Sequence, residues 1–142
     1  MSLTIETAVS EFGKAAKRKL SNPAASGQPE DQLRAPFEQL IENVASICNF
    51  RSGAVVAVGE SAQRHLKTRP DYSITVNKTL IGFVELKAPG KGANPTRFKD
   101  PHDRDQWERL SSLPNLLYCD GNSFSLWRDG KLVDKVFTLV GD

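Results

Sequence analysis

Apolar positions recur at helical spacing in the first third of the chain and in short β-branched runs after it. Leu3 to Leu20 carries a weak stripe of Leu3, Val9, Phe12 and Ala16, which predicts a first helix. Its end holds Lys14, Lys17, Arg18 and Lys19. Cations suit a helix C-terminus, and these form either a solvated end or a patch for phosphates. Ser21 to Pro29, SNPAASGQP, has the composition of a mobile connection. From Glu30 to Asn49 a clear stripe of Leu33, Phe37, Leu40, Ile41, Val44 and Ile47 predicts a second helix. Pro36 lacks a backbone donor, so this helix starts later or bends there. On a continuous helix, Glu30 would extend the apolar face and point to the sheet.

Gly53 to Gly59, GAVVAVG, predicts a strand buried on both faces. A polar connection, Glu60 to Lys67, leads into Thr68 to Gly90, which reads as two strands around a turn at Asn77, Lys78 and Thr79. Lys91 to Pro101 is a basic loop, read as flexible. His102 to Leu113 predicts a helix with Trp107, Leu110 and Leu113 on one side. Asn115 to Cys119 is a strand, and Asp120-Gly121-Asn122 a turn. Ser123 to Arg128 and Lys131 to Val140 form a hairpin around Asp129-Gly130, a favoured two-residue turn. This order predicts an α/β fold, a mixed central sheet flanked by helices.

Composition narrows the picture only a little. The 142 residues suffice for one core. They divide into an N-terminal helix and linker, 1–28, and a main domain, 29–142. An apolar fraction of 39% excludes a disordered chain. A net charge of +2 puts any case for nucleic acid on local patches. Cys48 and Cys119 sit in apolar stretches and read as buried thiols. No apolar run is long enough for a membrane span, and no signal peptide opens the chain, so a cytoplasmic location is expected. His65 and His102 are too isolated for a zinc site, and Trp107 and Trp127 read as core.

The candidate chemistry lies in Thr68 to Gly90. Pairing outward from the turn sets Val76 opposite Leu80, Ile74 opposite Gly82 and Tyr72 opposite Val84. That face is apolar. The other face carries Asp71 opposite Glu85, with Lys87 two residues on. Two adjacent carboxylates repel unless a cation lies between them. Mg²⁺ is the natural ion, with Mn²⁺ able to replace it, and the backbone carbonyl of Leu86 is a third possible ligand. Lys87 would then orient water and steady phosphate charge. Glu85 and Lys87 alone would be an ordinary same-face ion pair. The apolar neighbours in IGFVELKAP make that an expensive place for unpaired charge.

Pro70-Asp71 followed by Glu85-Leu86-Lys87 resembles the PD-(D/E)xK nuclease superfamily. The text ELKAPGKGANPTRFKD, then DQWERLSSLPNLLYCDGNSFSLWRDGK, is similar to the N-terminal nuclease domain of single-chain restriction-modification enzymes of the type ISP group. The resemblance covers roughly Glu30 to Val133. It implies a restriction-endonuclease-like fold and Mg²⁺-dependent cleavage of DNA, in a restriction-modification or other anti-phage defence enzyme. Asp71 and Glu85 would be metal ligands and Lys87 the catalytic lysine. Gln106 matches a glutamine that many relatives place near the site, although the tyrosine that often follows is Leu110 here. Glu30 matches a first-helix glutamate that some relatives add to the metal shell, with Glu38 as its competitor. Helicase or methyltransferase domains would follow in the same polypeptide, and cutting both strands would need a transient dimer or two nicks. Lys91, Arg97 and Lys99 either meet DNA phosphates or line a solvated loop. The alternative is a non-catalytic nucleic-acid-binding or scaffolding domain of the same fold.

Overall fold

A computed structural model describes residues 3–25, 27–59 and 70–139. The connection Glu60 to Lys67 with His65, the first two residues of Thr68 to Gly90, and Val140 lie outside them. Helix α1 spans Ile5–Leu20 and is capped by Thr4, whose side chain accepts from the Thr7 N–H. A 3₁₀ turn, Pro29–Leu33, precedes helix α2, Arg34–Ile47. Strands β1, β2 and β3 span Val55–Gly59, Tyr72–Val76 and Thr79–Leu86. A second 3₁₀ turn, Pro95–Arg97, leads to helix α3, Pro101–Leu110. Strands β4 to β7 are Leu116–Cys119, Ser123–Arg128, Lys131–Leu132 and Phe137–Thr138.

The sheet runs in chain order from β1 to β6, and β7 also pairs with β5. Among the described strands only β3 and β4 are parallel, and α3 lies in the crossover between them. Alternation along the strands splits the core in two. Tyr72, Ile74, Val84 and Leu86 face α1 and α2, where Phe12, Leu33, Phe37 and Leu40 meet them. Leu116, Tyr118 and Trp127 face the other way, onto Leu110 and Trp107 of α3. Trp107 and Trp127 meet edge-on at 4.9 Å, in the core as expected. Helix α1 packs on the sheet, with Phe12 meeting Phe124 of β5 at 5.6 Å.

Several expectations change. The second helix starts at Arg34, not Glu30, which leaves Pro36 in its first turn where the missing donor costs nothing. Glu30 therefore sits in the 3₁₀ turn, half-exposed, and does not extend the α2 face. Strand β1 is an edge strand covered on one face: Val55 and Ala57 pack on the core with α2, while Val56 and Val58 are exposed. Cys48, just past α2, is exposed, while Cys119 is buried as expected. The turn after β2 has two residues, Asn77 and Lys78, both with positive φ as a type I′ turn requires. It pairs Val76 with Thr79, not Leu80, and a bulge after Ile74 restores Ile74 to Gly82 and Tyr72 to Val84. The final strand is broken at Asp134, whose φ is 64°, into β6 and β7. The basic loop is pinned: Ala93, Pro95 and Phe98 are buried, and the Ser125 hydroxyl donates to the Ala93 carbonyl.

Gly82 lies where β3 meets the start of β4. A Cβ there would stand 2.8 Å from the Asn115 carbonyl oxygen, which already accepts from the Phe83 N–H. The atoms it would meet are the Asn115 backbone and Cβ, so no flexible side-chain end is there to yield. Gly82→Ala is expected to destabilise the protein by about 1–3 kcal/mol in urea unfolding.

Candidate functional site

Of the predicted residues, Asp71, Glu85, Lys87 and Gln106 meet at one end of the sheet. Tyr72 pairs with Val84, so the ladder carries on to Asp71 beside Glu85. The Asp71 N–H donates to Glu85 Oε1 at 3.2 Å, and the Leu86 N–H donates to Asp71 Oδ2 at 2.7 Å. These bonds hold the Glu85 carboxylate against the Asp71 backbone and the Asp71 carboxylate against the backbone of Leu86, the residue after Glu85. Arg34, in the first turn of α2, donates to Asp71 Oδ1 at 3.2 Å and lies over the Tyr72 ring. Tyr72 is tied to the same helix, its hydroxyl donating to Glu38 at 2.6 Å. Glu38, the competitor of Glu30, is thus occupied from below the sheet.

Lys87 is 5% exposed, with its ammonium 3.6 Å from Glu85 Oε2. It donates to Gln106 Oε1 at 2.5 Å and to Asp103 Oδ1 at 3.0 Å. Gln106 faces the site because Asp103, Gln106 and Leu110 form the buried stripe of α3. Asp103 escaped the sequence reading. In HDRDQW it looks like one more charge opening a helix, and only its spacing of three from Gln106 hints that it turns inward. Arg34 escaped as well, since nothing local separates it from a solvated helix start.

Lys91 stands at the rim, 39% exposed, with its ammonium 2.5 Å from Asp103 Oδ2. This bond raises the Lys91 pKa. Burial pushes the Asp103 carboxyl upward, but the bonds from Lys91 and Lys87 outweigh it and leave the group below its usual range. Arg97 and Lys99 are exposed on the same loop. The loop is also tied to the end of β4, where the Gly92 N–H donates to buried Asp120 at 2.9 Å.

Glu85 is a strongly perturbed carboxylic acid. Burial, then the neighbouring Asp71 charge, push its pKa from 4.5 to about 8, against the pull of Lys87. The folded state thus keeps a proton that the unfolded chain gives up above about 4.5. Stability from this group is complete below that value and is lost as pH rises toward 8. The metal-free protein is expected to lose urea-unfolding stability across that window, and Glu85→Gln to flatten the slope.

The donor chemistry suits a hard divalent cation. Asp71 and Glu85 offer carboxylate oxygens side by side, the donor type such an ion takes. Beside Glu85 in the ladder, the buried Tyr118 hydroxyl has no hydrogen-bond partner among the described residues. No three His, Cys, Asp or Glu side chains among the described residues stand together as an ion cage. Glu30 is therefore not gathered with Asp71 and Glu85; its charge acts on Lys91 instead.

No family model matches the chain, and no curated protein matches it. Among solved structures, the cryo-EM structure of a DrdV–DNA complex contains a similar fold, with a TM-score of 0.64 at 18% identity. The match covers 95% of this chain and 12% of the DrdV chain, so this chain spans a small part of that protein's length. No helix among the described residues is long and apolar enough to cross a membrane. The fold is α/β and restriction-endonuclease-like, a mixed, mostly antiparallel sheet flanked by helices.

Proposed function

We propose that the chain is a metal-dependent DNA endonuclease unit of the PD-(D/E)xK type. The observation that carries this reading is the meeting of Asp71, Glu85 and Lys87, the last two 5% exposed, at one end of the sheet. Asp71, Glu85 and the Leu86 carbonyl would hold Mg²⁺ or Mn²⁺. Such an ion, when bound, polarises a phosphodiester and activates water. Arg34 keeps the Asp71 carboxylate turned toward Glu85. Lys87 presents a positive charge to the phosphate, and Gln106 orients that lysine. Lys91, Arg97 and Lys99 line the approach as point charges for the DNA backbone, which makes affinity salt-sensitive.

The DNA complex of DrdV supports DNA as the partner, and the share of the DrdV chain covered supports a unit within a larger polypeptide. Helicase or methyltransferase domains in cis fit this placement, within a restriction or other defence system. Cutting both strands takes two such sites, brought together by a transient dimer or used in turn.

A second reading is a DNA-binding or scaffolding unit without catalysis. It is favoured by one observation: both Asp71 oxygens already accept from protein groups, Arg34 and the Leu86 N–H. Nicking of supercoiled plasmid in Mg²⁺ or Mn²⁺ separates the two. The nuclease reading expects nicking that EDTA, Asp71→Ala and Lys87→Ala each remove. Equal residual cleavage in wild type and both variants rejects it.

A further inference from the structure

We propose that Asp103 is a positioning residue for Lys87, fixing its ammonium so that the one uncommitted N–H points at the Asp71–Glu85 pair. The catalytic consequence rests on the nuclease reading above; the geometry does not.

A lysine ammonium has three N–H donors on a flexible four-carbon stem. Two are fixed by short bonds, to Asp103 Oδ1 at 3.0 Å and to Gln106 Oε1 at 2.5 Å. Both acceptors come from one face of α3, a turn apart. Glu85 Oε2 stands 3.6 Å from the ammonium, too far for a hydrogen bond, which leaves the third N–H without an acceptor there. That N–H is the one able to meet a reacting water or phosphate oxygen. The Phe98 ring, 5.6 Å from the ammonium, closes another side.

Asp103 is built for this task. It lies in the first turn of α3, where the helix dipole favours an anion. An aspartate there could stay in water, yet this one is 4% exposed, a costly placement without partners. Its partners are two lysines, one on each oxygen: Lys87 from the strand and Lys91 from the rim. Gln106 alone is a neutral acceptor and cannot replace the charge that keeps a buried ammonium in place.

A purely structural role would have Asp103 serve only to pin the loop through Lys91, so the test compares loss of each lysine contact. In the metal-free protein, ¹⁵N–¹H spectra of the lysine ammonium groups should show a slowly exchanging Lys87 signal, identified by its absence in Lys87→Met. The signal is expected to persist in Lys91→Ala and to vanish in Asp103→Ala. In plasmid cleavage, Asp103→Ala is expected to lower kcat by about 10- to 100-fold with little change in KM. Lys91→Ala is expected to act mainly on KM. An unchanged Lys87 signal in Asp103→Ala, or identical effects of Asp103→Ala and Lys91→Ala on signal and kinetics, overturns the proposal. Should Asp103→Ala fail to fold, Asp103→Asn replaces it. A weakened Lys87 signal then supports the proposal and an unaltered one overturns it. If wild type cleaves nothing, the nuclease reading falls while the spectra still decide the role of Asp103.

Discussion

Glu85→Gln is expected to lower metal-dependent DNA cleavage by about a thousandfold or more while making the metal-free protein more stable above pH 8. The two effects share one cause. Glu85 is 5% exposed, beside a second carboxylate, and burial together with that neighbour lifts its pKa to about 8. Above that pH the fold must hold a buried anion against another acid, a cost that only partial pairing with Lys87 offsets. An amide of the same shape removes the charge and the cost. It also removes the negative oxygen that a cation needs, so activity falls as stability rises. Thermal melts in EDTA between pH 6 and 9, set beside plasmid cleavage rates in Mg²⁺, check both halves. A variant that loses both stability and cleavage would mark Glu85 as a structural residue instead.

The largest loss of stability is expected from Phe37→Ala, about 3–5 kcal/mol in urea unfolding. Phe37 is fully buried in α2 and meets the Tyr72 ring at 5.6 Å. Truncation leaves a cavity between the helix and the strand. The vacancy lies directly beneath the residue after Asp71, on the opposite face of the sheet. Tyr72 is also held by Glu38 of the same helix, and Arg34 of that helix holds Asp71. Loosening α2 therefore loosens the Asp71 carboxylate. Phe37→Leu, which retains most of the apolar volume, should cost less and leave cleavage nearer to wild type. If both variants lose equal stability, the contact with Tyr72 matters for its aromatic geometry more than for its volume.

The candidate site was more legible in the chain than the edges of the fold were. Asp71, Glu85 and Lys87 follow from alternation around a hairpin, and the pattern holds because the bulge after Ile74 offsets the turn being one residue shorter than expected. Gln106 came from resemblance, and the structure puts it on the Lys87 ammonium. Asp103 and Arg34 were missed because their partners lie 16 and 37 residues away, and a single sequence carries no mark of such pairings. Strand β1 misled for a related reason. GAVVAVG is apolar throughout, but the core covers only the Val55 and Ala57 side, and Val56 and Val58 stay exposed. Pro36 signalled that α2 does not begin at Glu30, and the structure resolves that signal as a later start. Glu30 then loses the geometry that its proposed metal role assumed. The break at Asp134 depends on β5 pairing with two separate strands, which apolar spacing does not encode.

The most direct test of the central claim, that Asp71 and Glu85 form a divalent-cation site, is electron paramagnetic resonance of Mn²⁺ titrated into the protein at pH 8. Wild type is expected to give a bound, hexaquo-depleted signal that Mg²⁺ displaces, lost in Asp71→Asn and in Glu85→Gln, with Lys91→Ala still binding. Undiminished Mn²⁺ binding in both carboxylate variants, or none in wild type, would contradict it.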